Sequence, residues 1–245
     1  MSDLLAFQNE VQANIAALGR NERAKALSIE WLRCVAEDKY SYNFSWMGVP
    51  IIQFPQDIVA MQELLWRVKP DLVIETGVAR GGSVIFYASM LELIGKGEVL
   101  GIDIDIRSHN REAIESHPMH KRISLLEGSS ISDETAERVK AVASKAETVL
   151  VVLDSNHTHE HVLRELELYA PLVSPGSYCV VFDTVVEDVP DEDFPDRPWG
   201  KGNNPKTAVW AFLEANRHFE IDVDIHNKLQ VTVAPDGYLK RIETD

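Results

Sequence analysis

The stretch "DLVIETGVARGGSVIF", Asp71 to Phe86, constrains this chain more than any other. A short apolar run ends in Glu75, passes through a loop broken by Gly77, Gly81 and Gly82, and enters a helical pattern at Ser83. Strand, glycine turn and helix in that order are the building unit of a doubly wound sheet. In such a sheet the ligand lies beyond the carboxyl ends of the strands, beside the first of them.

The pattern repeats. Apolar strands are expected at 71–75, 98–103, 122–127, 148–154 and 177–183, with helical stretches between them, such as His161 to Ala170 with Val162, Leu163, Leu166 and Tyr169 turned inward. Strands buried on both faces and alternating with helices imply a parallel sheet with right-handed crossovers. The end of the chain differs. "HFEIDVDI" and "KLQVTVAP" are separated only by His226 and Asn227, too short for a crossover, so they are expected to form an antiparallel hairpin at the sheet edge. The expected fold is α/β: a Rossmann-like, doubly wound, mostly parallel seven-stranded sheet with a C-terminal antiparallel hairpin and an N-terminal helical extension.

Residues 3–38 carry apolar positions at helical spacing and read as two helices joined near Gly19 to Asn21. An irregular aromatic segment follows, with Pro50 and Pro55 as breakers, and then a helix from about Gln56 to Val68 with Ile58, Met61, Leu65 and Val68 on one stripe. The division is therefore an N-terminal extension with a cofactor-covering aromatic segment at 1–55, and a main domain at 56–245.

A formal net charge of −15 with no basic run argues against nucleic acid as a partner. The acidic run Glu187 to Asp196 reads as a solvated loop. Two cysteines make no disulfide framework, no apolar segment is long enough to cross a bilayer, and the start of the chain lacks a signal-peptide pattern. The expectation is a cytoplasmic protein without membrane contact.

The spacing at the glycine loop is E-x-G-x-x-x-G-x-S rather than G-x-G-x-x-G. An acidic residue closing the strand would repel a pyrophosphate, but it suits a ligand with a cationic part. S-adenosylmethionine has an ammonium beside a sulfonium. Glu75, Gly77, Arg80, Gly81 and Ser83 are the candidate residues for its amino-acid end, with Ser83 facing the carboxylate at the helix start. Asp103, ending the second strand, suits the ribose hydroxyls; Ser130 in "EGSS" suits the adenine edge; Asp154, ending the fourth strand, stands beside the transferred group.

The run 53–90 resembles the catechol O-methyltransferase type of class I methyltransferase. From about residue 40 to 241 the chain is similar to the cephalosporin hydroxylase and rhamnosyl O-methyltransferase family. The resemblance rests on "YNFSWMGVPIIQFPQDIVAMQELLWRVKPDLVIETGVARGGS", "VLGIDIDIR", "LEGSS", "LDSNHTHEHVLRELELYAPLVSPGSY" and "NNPKTAVWAFL" with "NKLQVTVAPDGYLKRI". It implies an S-adenosylmethionine-binding fold, methyl transfer to a hydroxyl of a sugar or natural product, and in several relatives a bound magnesium. The relatives' pattern is D-S-D-H with a later E-D-T, and this chain departs from it. Asn156 stands where an Asp is expected and Phe182 where a Glu is. The candidate metal ligands are therefore Asp154, Asn156 and Asp183, with less charge to hold a hard dication.

The candidate catalytic residues are His157, Asp154 and Asp183. An imidazole with an ordinary pKa near 6.5 suits proton abstraction at neutral pH. His159 and His161 read as solvated or capping. Trp199, in the long segment 185–206, either stacks on a sugar or packs that loop down. The leading reading is an O-methyltransferase acting on a small polar acceptor. The other is a cofactor-binding family member with a degenerate metal site that no longer methylates. The N-terminal helices have no obvious place in the sheet and are expected to pack on a neighbouring subunit; the resemblance implies a homo-oligomer, a dimer or higher.

Overall fold

The computed structural model describes residues 3–242. Helices α1 (Asp3–Gly19) and α2 (Glu22–Ala36) lead into a small hairpin, β1 (Phe44–Trp46) with β2 (Val49–Ile51), and then α3 (Pro55–Val68). The main unit runs β3 (Leu72–Thr76), α4 (Gly82–Ile94), β4 (Glu98–Asp103), α5 (Ser108–Glu115), β5 (Ile123–Glu127), α6 (Asp133–Ala143), β6 (Val149–Leu153), α7 (His159–Tyr169) and β7 (Tyr178–Val181). It closes with α8 (Pro205–Ala215), β8 (Phe219–Ile221), α9 (Val223–Leu229) and β9 (Tyr238–Arg241). The five parallel strands expected from the sequence are all present within two residues of their predicted ends.

The seven-stranded sheet has the order β5-β4-β3-β6-β7-β9-β8. The strand order reverses between β3 and β6, which opens the ligand crevice at their carboxyl ends. All five residues of β3 and of β6 are buried, so both faces carry helices. Because successive strand side chains point to opposite faces, each strand feeds two cores. Val73, Val99, Leu150, Val152 and Val180 pack with Leu64, Leu65, Ile85 and Leu91 of α3 and α4 on one face. Ile74, Ile102, Val151 and Val181 pack with Val139, Leu166 and Val209 of α6, α7 and α8 on the other.

Local chemistry sets the helix starts. Asn21 caps α2 by accepting from Ala24 N at 3.0 Å. Ser132 caps α6 by accepting from Thr135 N at 3.2 Å. Asn204 and Thr207 form a capping box at α8, with Pro205 in the first turn.

The chain end keeps its antiparallel pairing but not the expected segments. β9 pairs antiparallel with both β7 and β8. Val223–Leu229 is helical rather than extended, and the second strand begins at Tyr238. Five alternating residues fit a strand, yet Ile225 and Leu229, four apart, also share a helix face, and both pack into the core. The "VTV" run at 231–233 has no strand partner among the described residues. The buried Asp57 carboxylate holds it instead, accepting from the Thr232 hydroxyl and from Val233 N at 3.0 Å.

The N-terminal helices lie outside the sheet. α1 packs on α9, and Gly19 faces the Asn227 amide so closely that an added Cβ would sit 2.5 Å from its nitrogen. Three rings of the aromatic run are packed while Tyr42 stays exposed: Tyr40 stands edge-on to Trp31 and Phe44, at 5.1 and 5.0 Å, and Trp46 stands edge-on to Phe86 at 4.8 Å. Trp46 Nε1 also donates to Ser89 Oγ at 3.0 Å, fastening the hairpin to α4. Among the described residues no helix is long and apolar enough to cross a membrane.

Candidate active site

Strand alternation brings the acidic residues together. Glu75 lies two residues beyond Val73, and Asp154 two beyond Val152, so both turn to the face covered by α3 and α4. Gly77 carries the chain across the gap between their strands at φ +91°. A Cβ there would lie 2.0 Å from the Asp154 carbonyl oxygen. Only glycine fits so close an approach. Gly81, at φ +90°, ends the loop at the start of α4. Asp103 holds the loop between them: its Oδ2 accepts from Val78 N at 2.9 Å and Ala79 N at 3.2 Å, and its Oδ1 from Asp105 N at 3.2 Å. Arg80 stands exposed on the same loop.

Glu75 is fully buried. Its Oε2 accepts from Ser83 Oγ at 2.8 Å, so the serine hydroxyl is directed at the acid rather than outward. The Tyr87 phenol supports the ionised form of Glu75, yet Oε1 has no donor among the described residues. Burial raises the Glu75 pKa well above the usual carboxylate range, and the Asp154 charge adds to it. Asp154 is raised in the same direction by burial and by the neighbouring Asp183. Gln53 Nε2 donates to Asp154 Oδ2 at 3.1 Å. Glu75, fully buried, and Asp154, half-buried and eased in part by His157, are both favoured in their ionised forms by a bound cation.

Asp154, His157 and Asp183 converge, with ligand atoms within 4.8 Å of one another. His157 Nδ1 lies 3.0 Å from Asp183 Oδ2. Burial disfavours the imidazolium, but the Asp183 charge and hydrogen bond outweigh it and push the pKa up to about 9. His157 is thus paired with Asp183, which favours its protonated form. Asp183 adopts φ +55°, a strained setting for a residue other than glycine. Asn156 Oδ1 accepts from Thr158 N and from Thr158 Oγ1, each at 2.9 Å, which turns it into the turn before α7. Phe182 is buried among Ile51, Met61, Phe86 and Tyr87. The two carboxylates still suit magnesium, which accepts one or two protein oxygens and keeps the rest of its shell as water.

Ser130 enters a different network. Its Oγ and that of Ser155 each lie 3.1 Å from His161 Nε2, and Ser155 Oγ donates to the buried Glu165 Oε1 at 2.7 Å. His161, expected to be solvated or capping, ties the loop after β5 to α7. His159, likewise, sits 2.8 Å from Thr207 Oγ1 and fastens α7 to α8. Trp199 packs 4.7 Å from the His157 ring, and the Arg197 guanidinium lies over the Trp199 ring, 5.2 Å from its centroid. The acidic loop is pinned rather than free: Glu187 accepts from Gly202 N, Asp191 from Lys201 N, and Asp193 pairs with Arg33 of α2.

Sequence reasoning missed Gln53 and Asp57. Asp57 had a usable signal, an acid four residues before Met61 on the inward stripe of α3. Gln53, in "PIIQFP", had none.

The family model described as Rhamnosyl O-methyltransferase/CmcI matches residues 38–242. The chain is 30% identical over 219 residues to the rhamnosyl O-methyltransferase of Mycobacterium tuberculosis (strain ATCC 25618 / H37Rv), covering 84% of this chain and 85% of that one. It is 32% identical over 200 residues to the rhamnosyl O-methyltransferase of Mycobacterium leprae (strain TN), covering 80% and 82%. A solved structure of CmcI with magnesium and S-adenosylmethionine superposes with a TM-score of 0.57 over 82% of this chain and 78% of that one, at 19% identity, a likeness of fold.

The fold, the strand-end acids and these relatives define an S-adenosylmethionine-dependent O-methyltransferase. Within that class, the chain belongs to the rhamnosyl O-methyltransferase/CmcI family.

Proposed function

We propose that the protein methylates a hydroxyl of a sugar or a glycosylated small molecule, with S-adenosylmethionine as donor. One observation carries the cofactor reading: Glu75, fully buried at the glycine turn, has an oxygen without a donor among the described residues and a neighbour, Asp154, of the same charge. A phosphate is repelled there and an ammonium is held. The rhamnosyl specificity named for the mycobacterial relatives supports a sugar hydroxyl as the acceptor.

Placement supports the following residue roles. Glu75 receives the ammonium. Gly77 and Gly81 shape the turn, Ser83 orients Glu75, and the exposed Arg80 offers a cation to the carboxylate. Asp103 keeps lone pairs for the ribose hydroxyls beyond those used on the loop, and Ser130, beside His161, is assigned to the adenine edge. S-adenosylmethionine, when bound, supplies an electrophilic methyl group. A magnesium ion held by Asp154 and Asp183 would supply Lewis acidity that lowers the pKa of the acceptor hydroxyl. His157, held by Asp183 at 3.0 Å, is the group placed to take the acceptor proton when its ring is neutral. Trp199, against His157, forms an apolar wall for the acceptor.

A second reading, cofactor binding without methylation, is favoured by the loss of two metal donors, Asn156 to the Thr158 turn and Phe182 to the core. We further propose a cytoplasmic homo-oligomer in which residues 1–55 act as an extension; free Cys34 and Cys179 and the exposed Leu4, Phe7 and Leu27 support it.

Calorimetric titration with S-adenosylhomocysteine, followed by a methyl-transfer assay on rhamnosylated acceptors, tests the reading. Micromolar cofactor binding is expected, with at least tenfold loss in Glu75→Gln. Absence of binding at millimolar ligand overturns it. Binding without transfer in the presence of magnesium selects the second reading.

A further inference from the structure

Gln53 comes from the segment between the small hairpin and α3, far in sequence from the strand-end motifs, yet its side chain is only 6% exposed and reaches Asp154. The Asp154 carboxylate accepts, so the NH2 of the Gln53 amide faces it. The amide oxygen, on the other corner of the same planar group, is buried with no donor among the described residues. Glu75 Oε1 is in the same condition. The two residues share a neighbourhood: Gln53 lines one small crevice with Tyr87, whose phenol stands beside Glu75. Buried acceptors without donors are rare in folded proteins, and each needs an explanation.

We propose that Gln53 is the third acceptor for the α-ammonium of the cofactor, completing a cup formed with Glu75 and Asp154. This rests on the S-adenosylmethionine reading given above. An ammonium has three donors and no acceptor, so it is satisfied by three acceptors converging from different elements. The charge argument selects an amide for the third place. Glu75 and Asp154 already repel each other in a buried site, and a third carboxylate would add repulsion without a cation to match it. A neutral oxygen completes the hydrogen bonding without adding a further negative charge. The arrangement also links cofactor binding to the N-terminal side of the molecule, because Gln53 and its neighbour Phe54 lie where the hairpin meets α3 and the Trp31–Tyr40 ring cluster.

The test compares two ligands on the same full-length protein by calorimetry: S-adenosylhomocysteine, and its analogue lacking only the α-amino group. Gln53→Met keeps the side chain's length and removes the amide; Gln53→Leu is the second variant. The expected result is a loss of roughly tenfold or more for S-adenosylhomocysteine in both variants, with the amine-free analogue changed by less than about twofold. A loss of fold weakens both ligands alike, so the ratio isolates the ammonium contact. Equal losses for the two ligands, or unchanged S-adenosylhomocysteine affinity, overturn the proposal for Gln53 and leave the cofactor reading standing. Failure of the unaltered protein to bind S-adenosylhomocysteine overturns both.

Discussion

His157 Nδ1 and Asp183 Oδ2 lie 3.0 Å apart, and this pair sets the proton inventory of the site. Burial alone would lower the imidazole pKa; Asp183 reverses the sign and takes it to about 9. Asp183→Asn removes the charge and leaves burial in command. The His157 ring, followed by NMR through its Cε1 proton, is expected to titrate at least one unit lower in the variant, and methyl transfer to fall by two orders of magnitude or more. An unaltered titration would show that the pair is not what holds the proton.

Asp103 has two jobs, and one substitution reads both. Its removal in Asp103→Ala deprives Val78 N and Ala79 N of their acceptor and the ribose of its own. S-adenosylhomocysteine affinity is expected to drop by about 1.5–3 kcal/mol, the scale of hydrogen bonds to a charged group. Faster amide exchange at Val78 and Ala79 should accompany it. Wild-type affinity in this variant would remove Asp103 from the cofactor site.

Restoring charge to the metal site separates Asn156 from Phe182. In Asn156→Asp the new carboxylate keeps the acceptor used by Thr158, so the turn persists while one negative charge is added near Asp154. Magnesium or manganese should bind about tenfold tighter or more by calorimetry. Phe182→Glu is expected to behave differently. It puts a carboxylate into the apolar packing beside Asp57, with a stability cost of roughly 3–5 kcal/mol in urea unfolding that masks any gain in metal affinity.

Asp57 predicts a pH dependence of the fold itself. Burial raises its pKa from 3.8 to about 6, against the hydrogen bonds from Thr232, Val233 N and Tyr238 that favour the ionised form. The folded chain therefore holds a proton that the unfolded chain releases between those two values. This group's contribution to stability is full below pH 3.8 and is lost as pH rises through 6, a change on the order of 3 kcal/mol. Unfolding free energies measured from pH 4 to 7 should show that slope in the native protein and a flatter one in Asp57→Asn.

Much of the site was legible because each element carried its own local signal. Glu75, Asp103 and Asp154 close strands whose apolar runs are visible in one dimension, and Gly77 and Gly81 mark a turn where a Cβ has no room. The final strand pair was legible only as a pair. "IDVDI" satisfies a period of two over a window too short to reject a helix, and the packing of Ile225 and Leu229 decided it. His161 was misread because a histidine at a helix start carries no mark of the two serines, 31 and 6 residues away, that meet it.

The sequence by itself determined the alternation of strands and helices, the glycine turn and the acids at the strand ends, since those depend on contacts between residues near one another in the chain. Tertiary structure alone decided the protonation of His157, the burial of Phe182, the turning of Asn156 toward Thr158, and the arrival of Gln53 at Asp154 from 101 positions away. Charge states and unsatisfied acceptors depend on which distant groups share a small volume and on how far water is excluded from it, and neither quantity exists until the sheet and its helices have closed.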